Sequence, residues 1–371
     1  MNTKEPERHR LPDAPWRASF RRRLLSWFGK HARDLPWRET RDPYAVWVSE
    51  IMLQQTQVET VKDFFRRFMK ELPDVYALAA ADEQRVLRLW EGLGYYRRAR
   101  QMHKCAKQVV DFHDGKLPSD VAALQKLPGI GRYTAGAIAS IAFDQRAPIL
   151  EANTVRLFAR LLEYRGETSS SAGQRLLWAF AESLVPRKEP GRFNQALMEL
   201  GALVCTPTSP NCQSCPAMAL CPTFAAGAQT EIPRPKRKQQ FEEINEAAVI
   251  IRRKENVLLR RCTEGERWAG LWDFPRIGLK RAYDPVMTPT EVEQKIAEQI
   301  GGRVEIGKLL TTIKHGVTRY RITLICYQAT CRSRRLGRGT TEHLRWAAPD
   351  ELTDLPLSTT GRKLAALVHN A

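Results

Sequence analysis

Four cysteines, Cys205, Cys212, Cys215 and Cys221, fall within seventeen residues at the spacing C-x6-C-x2-C-x5-C, while the other four of the chain's eight are scattered. Nothing in the sequence suggests secretion, and four thiolates crowded into one loop point to metal ligation rather than a disulfide framework. Such a loop closes around a tetrahedral zinc ion or a [4Fe–4S] cluster, and spacing alone leaves the two open. At 371 residues the chain can supply a platform for that loop and a second domain, each with an ordinary core. No apolar run approaches the length of a membrane span. The charged first residues lack the apolar stretch of a signal peptide, so a cytoplasmic protein is expected.

The formal net charge of +18 attracts polyanions, nucleic acid first among them. Basic clusters occur at Arg21, Arg22 and Arg23, at Arg97, Arg98 and Arg100, from Arg234 to Lys238, and from Arg332 to Arg338. Arginine also serves solubility, so charge alone does not decide. From about residue 18 to 222 apolar residues recur at helical spacing, broken by Leu72-Pro73, Gly92, Gly115 and Pro128-Gly129. Residues 229–246, with Pro233, Pro235 and a basic run, read as a linker. Beyond it Ala248–Ile251 and Val257–Leu259 resemble a hairpin, Ile322, Leu324 and Cys326 alternate in a longer strand, and Pro289–Ile300 reads as a helix. The expected organisation is an all-helical domain over 18–228, the linker, and a small α+β domain over 247–371.

Two segments of the helical domain carry candidate chemistry. Asp42-Pro43-Tyr44 starts a helix expected to run through Glu50 to Gln57, Pro standing at a favoured first-turn position. Glu50 is the only charged residue between Asp42 and Glu59 and shares a face with Val46 and Leu53. Burial there would raise its pKa toward that of a general acid at neutral pH; the competing reading is a solvated outer face. Further on, Leu127-Pro128-Gly129-Ile130-Gly131-Arg132-Tyr133-Thr134 follows a helix begun by Ser119-Asp120. Gly129 and Gly131 would leave bare N–H groups at a helix N-terminus, which suits a DNA phosphate.

Together these segments carry a resemblance. The cysteine loop and the Gly129–Gly131 turn resemble the cluster loop and helix–hairpin–helix of the endonuclease III superfamily of DNA glycosylases. Leu35-Pro36-Trp37, Pro43-Tyr44, Ser49 to Val58 and Gly92-Leu93-Gly94-Tyr95-Tyr96 resemble the adenine-specific mismatch glycosylases of the MutY family over nearly all of residues 20–222. The resemblance implies a [4Fe–4S] cluster on Cys205, Cys212, Cys215 and Cys221, and double-stranded DNA with a mismatched adenine as partner of a monomer. It implies that Glu50 protonates adenine, that Tyr133 lines the pocket beside the sugar, and that Gln55 and Tyr95 enter the base stack. Superfamily members that also cut the backbone carry Lys where Tyr133 stands. A phenol forms no Schiff base, so hydrolysis without strand cleavage is expected.

One catalytic position departs from the pattern. The family has Asp-Gly-Asn where this chain reads Glu151-Ala152-Asn153. Glu151 would then take the role of the anion facing the positively charged sugar, one methylene longer, with Asn153 kept. The competing reading of Glu151 is a charge at a helix N-terminus. In the last domain, Trp268 to Pro275 resembles the turn of the Nudix-like domain joined to this family. The helix at 291–300 lacks the metal-binding pattern of Nudix hydrolases, so no nucleotide hydrolysis is expected. The Phe-Ser-His loop used there on 8-oxoguanine corresponds to Val317-Thr318-Arg319, making Thr318 and Arg319 candidate DNA contacts. Two alternatives stand: a thymine or uracil mismatch glycosylase on the same scaffold, and a DNA-binding module with impaired catalysis.

Overall fold

The computed structural model describes residues 11–234, 240–279, 287–334, 336 and 343–369. Contacts divide the chain into two units, residues 1–80 with 101–237, and residues 81–100 with 238–371. Continuity along the sequence places 81–100 in the helical domain; its contacts group it with the C-terminal residues. No helix among the described residues is long and apolar enough to cross a membrane.

The first unit opens with α1 (Ala14–His31), α2 (Pro43–Leu53), α3 (Val58–Glu71) and α4 (Val75–Ala80). Helix α5 (Glu83–Trp90) lies in the second unit, and α6 (Arg97–His113) crosses the division. Helices α7 (Val121–Leu124), α8 (Arg132–Ile141), α9 (Ala152–Leu161), α10 (Ser171–Leu184), α11 (Pro190–Leu203) and α12 (Pro222–Ala225) complete the first unit. Their starts are written in the sequence. Asp42 accepts the N–H groups of Tyr44 at 3.1 Å and Ala45 at 3.3 Å, Asp120 that of Ala123 at 2.8 Å, and Ser170 that of Gly173 at 3.0 Å. The core joins α1, α9, α10 and α11 through Phe20, Leu24, Phe158, Phe180, Phe193 and Leu197, all shut off from water.

Helix α2 is shorter than its sequence pattern suggests. It ends at Leu53 rather than Gln57, because Gln54 leaves helical geometry (ψ 113°) and Gln55 enters the left-handed region at φ 58°. The turn re-aims Gln55 before α3 starts at Val58.

In the second unit β1 (Glu242–Arg253), β2 (Asn256–Arg261), β3 (Trp272–Asp273), β4 (Arg276–Leu279), β5 (Val304–Val317), β6 (Tyr320–Cys331) and β7 (Leu344–Ala347) form one mixed sheet. Its order is β3-β2-β1-β6-β5, with β4 on β1 and β7 on β2; β1 and β6 run parallel and the other pairs antiparallel. The expected β1–β2 hairpin is present, closing at Arg253↔Asn256. Strand β1 begins at Glu242, inside the stretch read as linker, because its ladder with β6 extends down to Glu242↔Tyr320.

Both faces of this sheet are covered. Ala248 and Ile250 with Leu324 and Cys326 pack toward the last helix, α14 (Thr359–His369), through Leu364, Ala365 and Val368. Ala247, Val249 and Ile251 with Ile325 and Tyr327 pack toward α13 (Met287–Ile300) through Val292, Ile296 and Ile300. The strand period of two sets this sorting.

Candidate active site and thiol-lined cavity

Glu50 is 4% exposed in α2, where every residue from Tyr44 to Met52 is buried. Burial pushes its pKa up to about 7; Glu151 adds to the rise, while a hydrogen bond from Tyr133 and the charge of Arg38 oppose it. The solvated-face reading is thereby excluded. Tyr133, in the first turn of α8, donates its phenol to Glu50 Oε2 at 2.5 Å and lies 3.3 Å from the Met198 sulfur on α11. Burial first, then the charges of Glu50 and Glu151, hold that phenol far above the ordinary tyrosine range. Thr134, the next residue, accepts Gln54 Nε2 at 3.3 Å and links the end of α2 to α8.

Glu151 performs the structural role its position allowed. It caps α9, taking the N–H of Asn153 on Oε2 and of Thr154 on Oε1, each at 2.8 Å, and Thr154 Oγ1 accepts the Glu151 N–H in return. Burial raises its pKa, and the two backbone donors pull the other way. Capping does not remove it from the site, since its charge is felt by both Glu50 and Tyr133. The Asn153 side chain accepts Arg156 Nη2 at 2.9 Å. Glu50, Tyr133 and Glu151 therefore form one coupled group, with Asn153 beside it at the start of α9.

Behind this group lies a buried ion cluster that the sequence does not announce. Glu199 on α11 binds Arg33 through two oxygens at 2.9 and 2.8 Å and Arg38 at 3.0 Å. Burial works against its charge, yet these hydrogen bonds hold its pKa at about 2. It fixes the helix that carries Met198 next to Tyr133.

The expected DNA-contact residues occupy turns. Gln55, Tyr95 and Thr318 are three of nine non-glycine residues with positive φ among the described residues. Gly129 has φ 77°, and a Cβ there would stand 2.9 Å from Gln101 Cβ, so the turn needs glycine. Gly131 caps α8 with no side chain over the helix end, and the space beside it is open. Thr318 and Arg319 form the tip of the β5–β6 hairpin, where Arg319 donates to the Tyr320 hydroxyl at 2.8 Å.

One of the clustered arginines, Arg21, serves the fold. Arg21 donates to the carbonyls of Leu184 at 2.6 Å and Ser183 at 2.7 Å, closing the end of α10. Residues 235–238 of one basic run, and Arg335, Gly337 and Arg338 of another, lie outside the described residues.

Cys205, Cys212, Cys215 and Cys221 all line one cavity, together with Leu157, Leu161, Val204, Met218 and Phe224. None forms a disulfide. Among the described residues no three His, Cys, Asp or Glu side chains are close enough to hold one metal ion, so the four thiols frame the cavity rather than meet at a point. Burial pushes the Cys215 thiol up to about 12, so a bound group would have to displace its proton. Arg156 and Arg160 of α9 reach this loop from below. Arg156 donates to Cys205 O at 2.6 Å, and Arg160 to Cys205 Sγ at 3.3 Å and Thr206 O at 2.8 Å. Two arginines four apart on α9 were the available signal for this support.

Both parts of the chain resemble known proteins. Residues 48–182 match the model of the HhH-GPD superfamily base excision DNA repair protein, and residues 246–367 match that of the NUDIX domain. The adenine DNA glycosylase of Rattus norvegicus is 47% identical over 222 residues, covering 57% of this chain and 43% of that protein. That of Buchnera aphidicola subsp. Schizaphis graminum is 36% identical over 262 residues, covering 70% of this chain and 76% of that protein. The chain spans about half the length of the rat and mouse relatives it matches, 43% and 54%. A solved thermostable thymine-DNA glycosylase superposes with a TM-score of 0.53 at 29% identity, covering 57% of this chain and 98% of its own. A helical helix–hairpin–helix glycosylase domain followed by a Nudix-like α+β domain, with the Buchnera relative matched over 76% of its length, places this chain in the adenine DNA glycosylase family.

Proposed function

We propose that the chain is a monofunctional adenine DNA glycosylase of base excision repair, acting on adenine mispaired with 8-oxoguanine or guanine in double-stranded DNA as a monomer. The observation that carries this is the buried carboxyl of Glu50, raised to about 7 and held by the phenol of Tyr133 within reach of the Glu151 charge. A carboxyl with that pKa is protonated often enough at neutral pH to donate and weak enough to take the proton back.

The flipped adenine receives the Glu50 proton on a ring nitrogen. The bond from base nitrogen to C1′ then breaks, its electron pair leaving with adenine. The positive charge that develops on the sugar faces the Glu151 carboxylate, preorganised by its two backbone donors. Water adds its oxygen to C1′ and passes its proton back to Glu50. Asn153 and Tyr133 hold the carboxylates in place. The phenol at Tyr133 cannot form an imine with the sugar, so the strand stays intact.

Gln55 and Tyr95, each aimed by a left-handed turn, support the stack the adenine has left, and the N–H groups at Gly129 and Gly131 take a phosphate. Thr318 and Arg319 at the hairpin tip contact the opposing base. The cavity framed by Cys205, Cys212, Cys215 and Cys221 suits a [4Fe–4S] cluster, a group larger than one ion, held by these four thiolates. When bound, the cluster supplies a rigid cross-link for the loop; the chemistry of base removal belongs to Glu50 and Glu151.

The test is chromatographic. Incubation with an adenine:8-oxoguanine duplex should yield free adenine and no protein–DNA cross-link under borohydride. No adenine released from this duplex while thymine or uracil is released from a guanine mismatch, or a borohydride-trapped adduct, contradicts the reading.

A further inference from the structure

Tyr95 lies in the stretch, residues 81–100, whose contacts group it with the C-terminal sheet. Glu91 is the hub of those contacts. Its carboxylate, 9% exposed, accepts Arg362 Nε at 2.7 Å on one oxygen and Arg362 Nη2 at 2.8 Å on the other. The second oxygen also takes the Leu357 N–H at 3.2 Å. Arg362 reaches back from α14 and donates as well to the carbonyls of Leu352 and Leu355. One guanidinium therefore binds Glu91 and the backbone that leads into α14. Around this centre Gln84 donates to Gly270 O at 3.0 Å, and Arg88 to Thr353 O at 2.8 Å.

Immediately beyond Glu91 the backbone takes a path that L-residues seldom choose. Gly92, Gly94 and Tyr95 have φ of 104°, 71° and 49°. From inside, Trp90 Nε1 donates to Gly94 O at 3.1 Å, and Arg98 Nη2 to Leu93 O at 3.3 Å and Gly94 O at 3.2 Å. The Arg98 guanidinium lies 5.4 Å from both the Trp90 and the Tyr95 rings. The outer side of Tyr95 is free, half of it exposed. A left-handed tyrosine persists only where its surroundings over-determine it, and the bidentate pair anchors Glu91, from which that path starts.

We infer that Glu91 and Arg362 are positioning residues through which the C-terminal domain holds the 92–96 loop and presents Tyr95 to DNA. The inference rests on the reading of Tyr95 as a DNA contact. It makes the C-terminal domain a requirement for engaging any duplex, apart from whatever that domain recognises at its hairpin tip.

The experiment compares hydrogen exchange in the intact protein with that of Glu91→Gln and of the charge swap Glu91→Arg with Arg362→Glu. Exchange at residues 92–96 should be about tenfold faster in Glu91→Gln, with α8 and α9 as protected as in wild type, and the swap should slow it again. On an adenine duplex, Glu91→Gln should raise the half-saturating protein concentration about tenfold and leave the single-turnover rate at saturation within about twofold. Unchanged exchange at 92–96, or exchange raised equally across the chain, overturns the inference. A wild-type protein that releases no adenine defeats the functional reading, while the exchange result still decides whether the pair holds the loop.

Discussion

Tyr133→Phe removes one hydroxyl and leaves the ring in its place, so its effect isolates the 2.5 Å hydrogen bond to Glu50. The phenol donates to the carboxylate, which favours the charged form and holds the Glu50 pKa down against burial. Losing a hydrogen bond to a charged group costs roughly 1.5–3 kcal/mol. At about 1.4 kcal/mol per pH unit, that lifts the Glu50 pKa by about one to two units, from about 7 to about 8 or 9. Only protonated Glu50 can donate to adenine, so activity falls as pH rises through this pKa. The single-turnover rate of adenine release, followed from pH 5 to 10, should lose activity near pH 7 in the wild type and one to two units higher in Tyr133→Phe. Below pH 6, where both are protonated, the two rates should differ far less. An alkaline limb that stays put, or moves down, would refute the role given to the phenol.

Glu151→Gln should cost about 1 kcal/mol of stability, since an amide oxygen caps α9 less fully. Base release should fall about a hundredfold from loss of the charge facing the sugar, and Glu151→Asp should keep most of it; thermal melting and single-turnover assays separate the two roles. Glu50→Gln should stabilise the fold in alkali. A pKa raised by burial from 4.5 to about 7 contributes stability that is intact below 4.5 and lost as pH rises through 7, roughly 3 kcal/mol in all. Melting curves should therefore coincide near pH 4.5, with the variant melting higher above pH 8. Cys215→Ser should abolish the broad absorbance near about 400 nm that a bound iron–sulfur cluster gives and lower the melting temperature; an unchanged spectrum would remove Cys215 from the ligand set.

The parts of this account legible in the sequence are those written in local pattern. Glu50 stood out as a lone charge in an apolar helix, and Asp42 and Asp120 marked helix starts by their own chemistry. The alternation of Ile322, Leu324 and Cys326 showed a strand because side-chain direction repeats every two residues. What pattern could not supply was the fate of side chains that act across the chain. Arg21, in a basic triplet, closes α10, and Arg98 braces the loop at Tyr95; nothing in a run of arginines tells a guanidinium on a carbonyl from one in solvent. Glu91 and Arg362 are 271 positions apart, beyond any periodicity. The end of α2 at Leu53 is not legible because Gln54 and Gln55 carry no breaker signal; Gln54 meets Thr134, 80 residues away. For Glu151 the capping reading is the one observed, and its charge still acts on Glu50 and Tyr133.

The most direct test of the central claim is alkaline strand cleavage of a labelled duplex holding one adenine opposite 8-oxoguanine, after incubation with wild-type protein and with Glu50→Gln. Cleavage at the adenine by the wild type, appearing only after alkali and absent from a Glu50→Gln protein that still binds the duplex, is the predicted result. Equal cleavage by both proteins, or none by a folded, cluster-loaded wild type that binds the same duplex, would contradict the assignment of Glu50 as the acid that releases adenine.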